Sequence, residues 1–321
     1  MALCYQLPVD VPQELAEWHE RFFGAAGRVW IAALPDLAAA GLRRWNLSPD
    51  GPARFGAVAL VLPVRRADGT PAVLKLQPVN DETAGEPAAL AAWHGHGAVP
   101  LLGHDPTTGS MLLGRLDADR DLSAIPDDLE ALRILSELMA DLHSVPPPPG
   151  IRHLGDIATA MLDRVPQTLA LVPGDDQRRL IGTCAAAVRD LVDEPGDRLL
   201  HWDLHFANVL ATLDDPGRWL AIDPKPLVGD PGFDLLAALH NRWDDVVATG
   251  DVPRAVRRRF DLMTEILGLD RPRAAGWTLA RILQNALWEA DNGASWSTGF
   301  DAAIADAITA PPRAGSVPGC R

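Results

Sequence analysis

Asp203 is followed five residues later by Asn208 and, beyond a turn and a short apolar run, by Asp223. No other feature restricts the chain as much. Asn208 to Ala211 and Trp219 to Ile222 read as short strands on either side of Asp214-Asp215-Pro216-Gly217, a turn sequence, so the three polar residues lie on and between them. A carboxylate able to hold an acceptor hydroxyl, with an amide oxygen and a second carboxylate suited to Mg²⁺, is the equipment of phosphoryl transfer. That reaction needs a nucleophile held in line and phosphate charge neutralised rather than covalent help.

The same stretch admits a rival. His201 and His205 are four residues apart around Asp203, and on a helix they would present two imidazoles to a hydrolytic metal ion. The remaining candidates, His143, His153 and His240, have no ligand-like spacing, which favours the phosphoryl-transfer reading. A nucleotide-anchoring lysine is then expected on a hairpin, with a helical glutamate holding its ammonium. Lys75, in Ala72-Val73-Leu74-Lys75-Leu76, has that place, because an apolar strand rarely keeps a lysine unless it is paired or at an edge. Glu86, on the next expected helix, is its partner, with Glu82 the competitor.

Periodicity supplies the frame. Leu15, Trp18, Phe22 and Phe23 recur at helical spacing after Pro12, and a second helix reaches Trp45. Phe55 to Val64, the turn Ala67-Asp68-Gly69 and Pro71 to Leu76 form a hairpin. A helix over Asp81 to His94 and strands at Val99 to Leu102 and Met111 to Leu116 complete a small antiparallel sheet with one helix against it. Beyond Asp117 the pattern is mainly helical: Asp127 to Ser144, stopped before the prolines at 146–149, then Arg152 to Leu171 and Asp175 to Val192. Gly232 to Arg242, Pro253 to Leu267 and Arg273 to Asp291 follow the two short strands.

These residues resemble the aminoglycoside phosphotransferases, and within them the streptomycin 6-phosphotransferase and hydroxyurea kinase branch. The resemblance rests on the run from Ala67 to Leu76, on Leu142-His143-Ser144-Val145-Pro146, on His201 to Asn208, and on Leu220 to Lys225 with Gly229 to Asp234. It implies a two-lobed, protein-kinase-like α+β fold, with a small antiparallel-sheet nucleotide-binding lobe over 1–116 and a larger, mainly helical catalytic and substrate-binding lobe over 117–321. It also implies ATP and Mg²⁺ as cofactors, Asp203 as catalytic base, Asn208 and Asp223 as metal ligands, and Lys75 with Glu86 as the nucleotide anchor. Met111 to Leu116, including Leu113 and Arg115, would contact adenine, and Asp234 would brace the catalytic loop.

Two departures stand out. No G-x-G-x-x-G precedes the hairpin, Gly51 and Gly56 being the nearest candidates, and Asp223-Pro224-Lys225 replaces Asp-Phe-Gly. Lys225 either adds charge near the phosphates or pairs with a neighbouring acid.

Composition narrows the acceptor. A net charge of −14 argues against nucleic acid, which basic surfaces bind, and suits a hydroxylated, cationic small molecule. Trp277, Trp288 and Trp296 with Glu289, Asp291 and Asn292 suggest an aromatic and acidic face for such a molecule, and Asp230, Asp244 and Asp245 are further candidates. An aminoglycoside of the streptomycin type is the expected acceptor; hydroxyurea, a peptide antibiotic or an amino sugar are alternatives, and a kinase-like protein that binds nucleotide without turnover is the alternative of another class. Cys4, Cys184 and Cys320 are too scattered for a disulfide framework. The start lacks a secretory pattern, and no apolar run approaches the ~20 residues that span a bilayer, so a cytoplasmic setting is expected.

Overall fold

Leu60–Arg65 and Pro71–Leu76 pair antiparallel from Leu60 opposite Leu76 to Arg65 opposite Pro71. The turn between them follows its sequence: Gly69 takes a φ of 82°, and Asp68 Oδ1 accepts from the Thr70 backbone N–H at 3.0 Å. The computed structural model describes residues 10–291 and 299–310. Met111–Gly114 continues the sheet beside Pro71–Leu76, and Leu101–His104 closes it. Ser48–Pro49 and Arg54–Phe55 both pair with Leu60–Arg65.

One face of this sheet carries the long helix Gln13–Arg44. Leu15, Leu34 and Ala38 of the helix and Leu60, Leu62, Leu74 and Leu76 of the sheet share a core. The two helical segments expected there are joined at Gly24, where φ of 55° and ψ of −126° break the helix without ending it. The helix expected from Asp81 begins only at Glu86, because Asn80 Oδ1 captures the N–H groups of Glu82 and Thr83 and makes 81–85 a turn. It ends where His94 goes left-handed at φ 48°.

Val209–Thr212 pairs antiparallel with Trp219–Ala221, as the turn sequence between them predicts. On its other side it pairs with Leu116–Asp121, a strand that sequence reasoning missed because Leu-Asp-Ala-Asp-Arg-Asp is mostly charged and holds no β-branched or aromatic residue.

The chain groups by contact into two compact units. Among the described residues, one joins 10–124 with 138–152 and 198–228; the other comprises 125–137, 153–197, 229–291 and 299–310. Lys75, Glu86, Asp203, Asn208 and Asp223 therefore all belong to the first. The second is built on Leu154–Leu171, Asp175–Leu191, Val252–Leu267, Arg271–Asp291 and Gly299–Thr309, with Ile181, Val188, Phe260, Trp277 and Leu283 in its interior. Cys4, Cys320, Asn292 and Trp296 lie outside the described residues. No described helix is long and apolar enough to cross a membrane.

Candidate active site

Three backbone or ring hydrogen bonds lace the segment 201–208 to the segment 222–225. His201 Nε2 donates to the Ile222 carbonyl at 3.0 Å, the Ile222 N–H donates to the Asn208 carbonyl at 2.9 Å, and the Lys225 N–H donates to the His201 carbonyl at 3.0 Å. Strand pairing begins the approach, with Val209 opposite Ala221. Asp203, Asn208 and Asp223 are thereby collected onto one short loop system.

His201 is fully buried, and both ring nitrogens are engaged, since Nδ1 accepts from the Asp203 backbone N–H at 3.4 Å. It braces the loop and has no lone pair to offer. Residues 201–205 are loop rather than helix, and among the described residues no group of three or more His, Cys, Asp or Glu side chains is disposed to hold a metal ion. The two-histidine metal reading fails on both counts.

Trp202 takes φ 67° while almost entirely buried, a conformation that costs a bulky residue on the order of 1–3 kcal/mol. The guanidinium of Arg152 lies 4.7 Å over its ring, and the Arg152 Nε and Nη2 atoms are buried without hydrogen-bond partners. No sequence pattern marks Arg152 for that place.

Asn208 is 9% exposed, and its amide nitrogen donates to the Asp203 carbonyl at 2.9 Å, which fixes the side chain and leaves the amide oxygen as its acceptor. Asp223, at φ 58°, lies two residues past the strand Trp219–Ala221 with its side chain 39% exposed.

Lys75 Nζ lies 2.7 and 2.9 Å from the two carboxylate oxygens of Glu86 and 2.5 Å from Asp223 Oδ1. Gln77, two residues on from Lys75 and just past the strand's end, donates to Glu86 at 2.5 Å. The two-residue spacing from Lys75 is the sequence signal for that place. Glu82 stays outside this group, its backbone held in the turn.

Burial presses Lys75 towards its neutral form, yet the charges of Asp223 and Glu86 outweigh it and hold the ammonium up at about 12. For Glu86, burial reinforced by the like charge of Asp223 prevails over Lys75 and raises the carboxyl. For Asp223, burial works against ionisation, but Lys75 and then Lys225 keep it low. One ammonium serves two carboxylates.

The remaining candidates are placed less simply. Leu113 is buried in mid-sheet, opposite both Val73 and Leu101, so its backbone is engaged on two sides. Arg115 follows the strand's end and pairs with Asp50, which also takes Arg65 at 3.0 Å. Asp230 belongs to the second unit, where Oδ1 caps Gly232 at 2.8 Å and Oδ2 takes Arg273 Nε at 2.6 Å. Asp291 pairs with Arg164, Glu289 is half-buried, and Asp245 pairs with Arg242. Trp277 lies in the core with its ring edge against Phe233, whereas Trp288 is 54% exposed.

An antiparallel sheet holding a Lys–Glu pair, beside a loop bearing Asp, Asn and Asp, defines the class of kinase-like phosphotransferases. Solved structures agree on the fold: aminoglycoside phosphotransferase APH(3'')-Id from Streptomyces rimosus, in complex with ADP and streptomycin, matches with a TM-score of 0.51 and 20% identity, over 80% of this chain and 98% of that one. The family described as aminoglycoside/hydroxyurea antibiotic resistance kinase matches residues 44–293, and the chain belongs to it. A streptomycin 6-kinase from Streptomyces glaucescens is 56% identical over 89% of this chain and 93% of its own. A hydroxyurea phosphotransferase from Kitasatospora aureofaciens is 51% identical over 89% of this chain and 82% of its own.

Proposed function

We propose that this chain transfers the γ-phosphoryl group of ATP to a hydroxyl of a cationic aminoglycoside of the streptomycin type, inactivating it. The observation that carries the reading is the convergence of Asp203, Asn208, Asp223 and Lys75 within one compact unit. The high identity to a streptomycin 6-kinase over nearly the whole chain supports the choice of acceptor. In this reading residues 1–116 hold the nucleotide, and 117–321 supply the catalytic loop and the acceptor site. The reaction's use of ATP supports a cytoplasmic setting.

Asp203 accepts a hydrogen bond from the acceptor hydroxyl, orients it, and receives its proton as the new O–P bond forms. Lys75, anchored by Glu86, holds nucleotide phosphate oxygens. The base contact falls to the backbone at Arg115, the one residue between the strands Met111–Gly114 and Leu116–Asp121, rather than to the ladder-bound Leu113. Asn208 and Asp223 suit Mg²⁺: one neutral and one charged oxygen donor are what this ion takes when substrate phosphates and water complete its shell. Bound there, Mg²⁺ neutralises charge on the phosphates. Phosphorylation replaces a neutral hydroxyl with about −1.5 to −2 charge, which works against a cationic drug's binding to its target.

The test is nucleotide consumption by purified protein with Mg²⁺ against streptomycin, other aminoglycosides, hydroxyurea and amino sugars, with the product's mass increased by one phosphoryl group. Streptomycin should be the preferred acceptor. Preference for hydroxyurea would reassign the acceptor, and no turnover with any of them would sink the reading.

A further inference from the structure

Lys225 stands where an Asp-Phe-Gly triplet has its last residue, and the roles of Asp203, Asn208, Asp223 and Lys75 in phosphoryl transfer leave its charge unused. Its Nζ donates to Asp203 Oδ2 at 2.8 Å. Its charge also reaches Asp223. The side chain thus touches the proposed base, and its charge acts on the proposed metal ligand as well.

Its backbone is restrained to that position. Pro224 precedes it and Pro226 follows, so φ is fixed on one side and the α-region is disfavoured for Lys225 itself. The Lys225 N–H is bonded to the His201 carbonyl, two residues before Asp203. Pro226 packs against Gly85, immediately before Glu86, closely enough that a Cβ there would lie 3.0 Å from the Pro226 ring. The segment is therefore clamped between the catalytic loop and the start of the helix that carries Glu86.

Stability does not account for the pair. Lys225 and Asp203 side chains are 33% and 24% exposed, so water screens the pair and it adds little to stability. A well-directed ammonium on the catalytic carboxylate does matter to reactivity, because it limits the carboxylate's rotation and supplies positive charge where acceptor oxygen, phosphoryl group and base meet.

We propose that Lys225 is the positioning residue of Asp203, fixing the carboxylate through Oδ2 so that it meets the acceptor hydroxyl in line with the phosphoryl group. The assignment rests on the phosphotransferase reading above. In the step it serves, the acceptor O–H proton passes to Asp203 and the acceptor oxygen bonds to the γ-phosphorus. The bond from that phosphorus to the bridging oxygen breaks, leaving its electron pair on the nucleoside diphosphate. Lys225 stays protonated throughout and transfers nothing.

The experiment compares Lys225→Ala, Lys225→Met and Lys225→Arg in the full-length protein, with Asp203→Ala as the control. Loss of the ammonium should lower kcat on the order of 10–100-fold with nucleotide KM changed by less than about threefold, since the group acts on the base rather than on nucleotide binding. Lys225→Arg should recover most of the loss, added ethylammonium should raise the activity of Lys225→Ala but not of Asp203→Ala, and melting temperatures should be alike. Retention of kcat by Lys225→Ala within about twofold overturns the assignment while leaving the phosphotransferase reading intact. So does a loss that neither arginine nor the amine relieves. A wild-type protein inactive on every acceptor overturns both.

Discussion

Lys75→Met isolates what the buried ammonium does, because methionine keeps most of the side chain's length and volume and removes its charge. Glu86, 1% exposed, then keeps the hydrogen bond from the Gln77 amide and lies beside Asp223, a like charge. It must either stay ionised in the interior or take up a proton. Protonating it at pH 7 costs about 1.4 kcal/mol for each pH unit above the ordinary glutamate value of ~4.3, or roughly 3.7 kcal/mol. That agrees with the ~3–5 kcal/mol lost when one member of a buried ion pair is removed. Asp223 contributes less, since its side chain is 39% exposed and Lys225 remains nearby.

The sign of the pH dependence follows. Glu86 is raised above its unfolded value, so the folded variant binds more protons than the unfolded chain and loses stability as pH rises. Lys75, held at about 12 in the wild type, does not titrate in this window. The deficit of Lys75→Met relative to wild type should therefore shrink by up to about 2.7 kcal/mol between pH 7 and pH 5. Urea unfolding at both pH values, with Glu86→Gln and the double variant alongside, measures it. The double variant should recover about 2 kcal/mol or more of the single variant's loss at pH 7. Equal instability of single and double variants, or a deficit identical at both pH values, would refute the reasoning.

Asp203→Ala should lower turnover about 10²–10⁴-fold while leaving Mg²⁺-nucleotide affinity within a few-fold, whereas Asp223→Ala should abolish that affinity. Calorimetric titration separates the two, and equal loss of nucleotide binding in both would undo the division of roles. Cys184 is fully buried, and that burial pushes its thiol up to about 12, so in a Cys4→Ser/Cys320→Ser background it should resist a thiol-reactive disulfide reagent at pH 8. It should react promptly in denaturant, and fast labelling of the folded protein would contradict the burial.

Much of this chain is written locally. The hairpin turn, the strand pair around Asp214 to Gly217 and most of the helices follow from period and turn chemistry, and each depends on neighbours close in sequence. The pairing of Lys75 with Glu86 was legible for a related reason: a buried strand lysine needs a carboxylate, and the next helix offers one in its first turn. Leu116–Asp121 was not legible. Its strand state comes from Val209–Thr212, far along the chain, and not from its own polar residues.

The acidic candidates separate along the same line. Sequence showed Asp230 and Asp291 as acids suited to a cation, and only the folded chain shows that Arg273 and Arg164 already engage them. Lys225 had two readings of equal standing from sequence. The hydrogen bond to Asp203 that chooses between them joins residues whose approach is set by strand register and by the Ile222 and Lys225 backbone bonds.

The sequence by itself determined the chemical inventory and the class of fold, because residue type, short-range spacing and periodicity are local properties. Tertiary structure alone decided which charge answers which: Lys75 shared between Glu86 and Asp223, His201 used on both ring nitrogens, Asp203 held by Lys225. The physical reason is range. A hydrogen bond is made or lost within a few tenths of an ångström, and that distance is fixed by how separate segments pack, as far apart in sequence as Lys75 and Asp223, not by the composition of either.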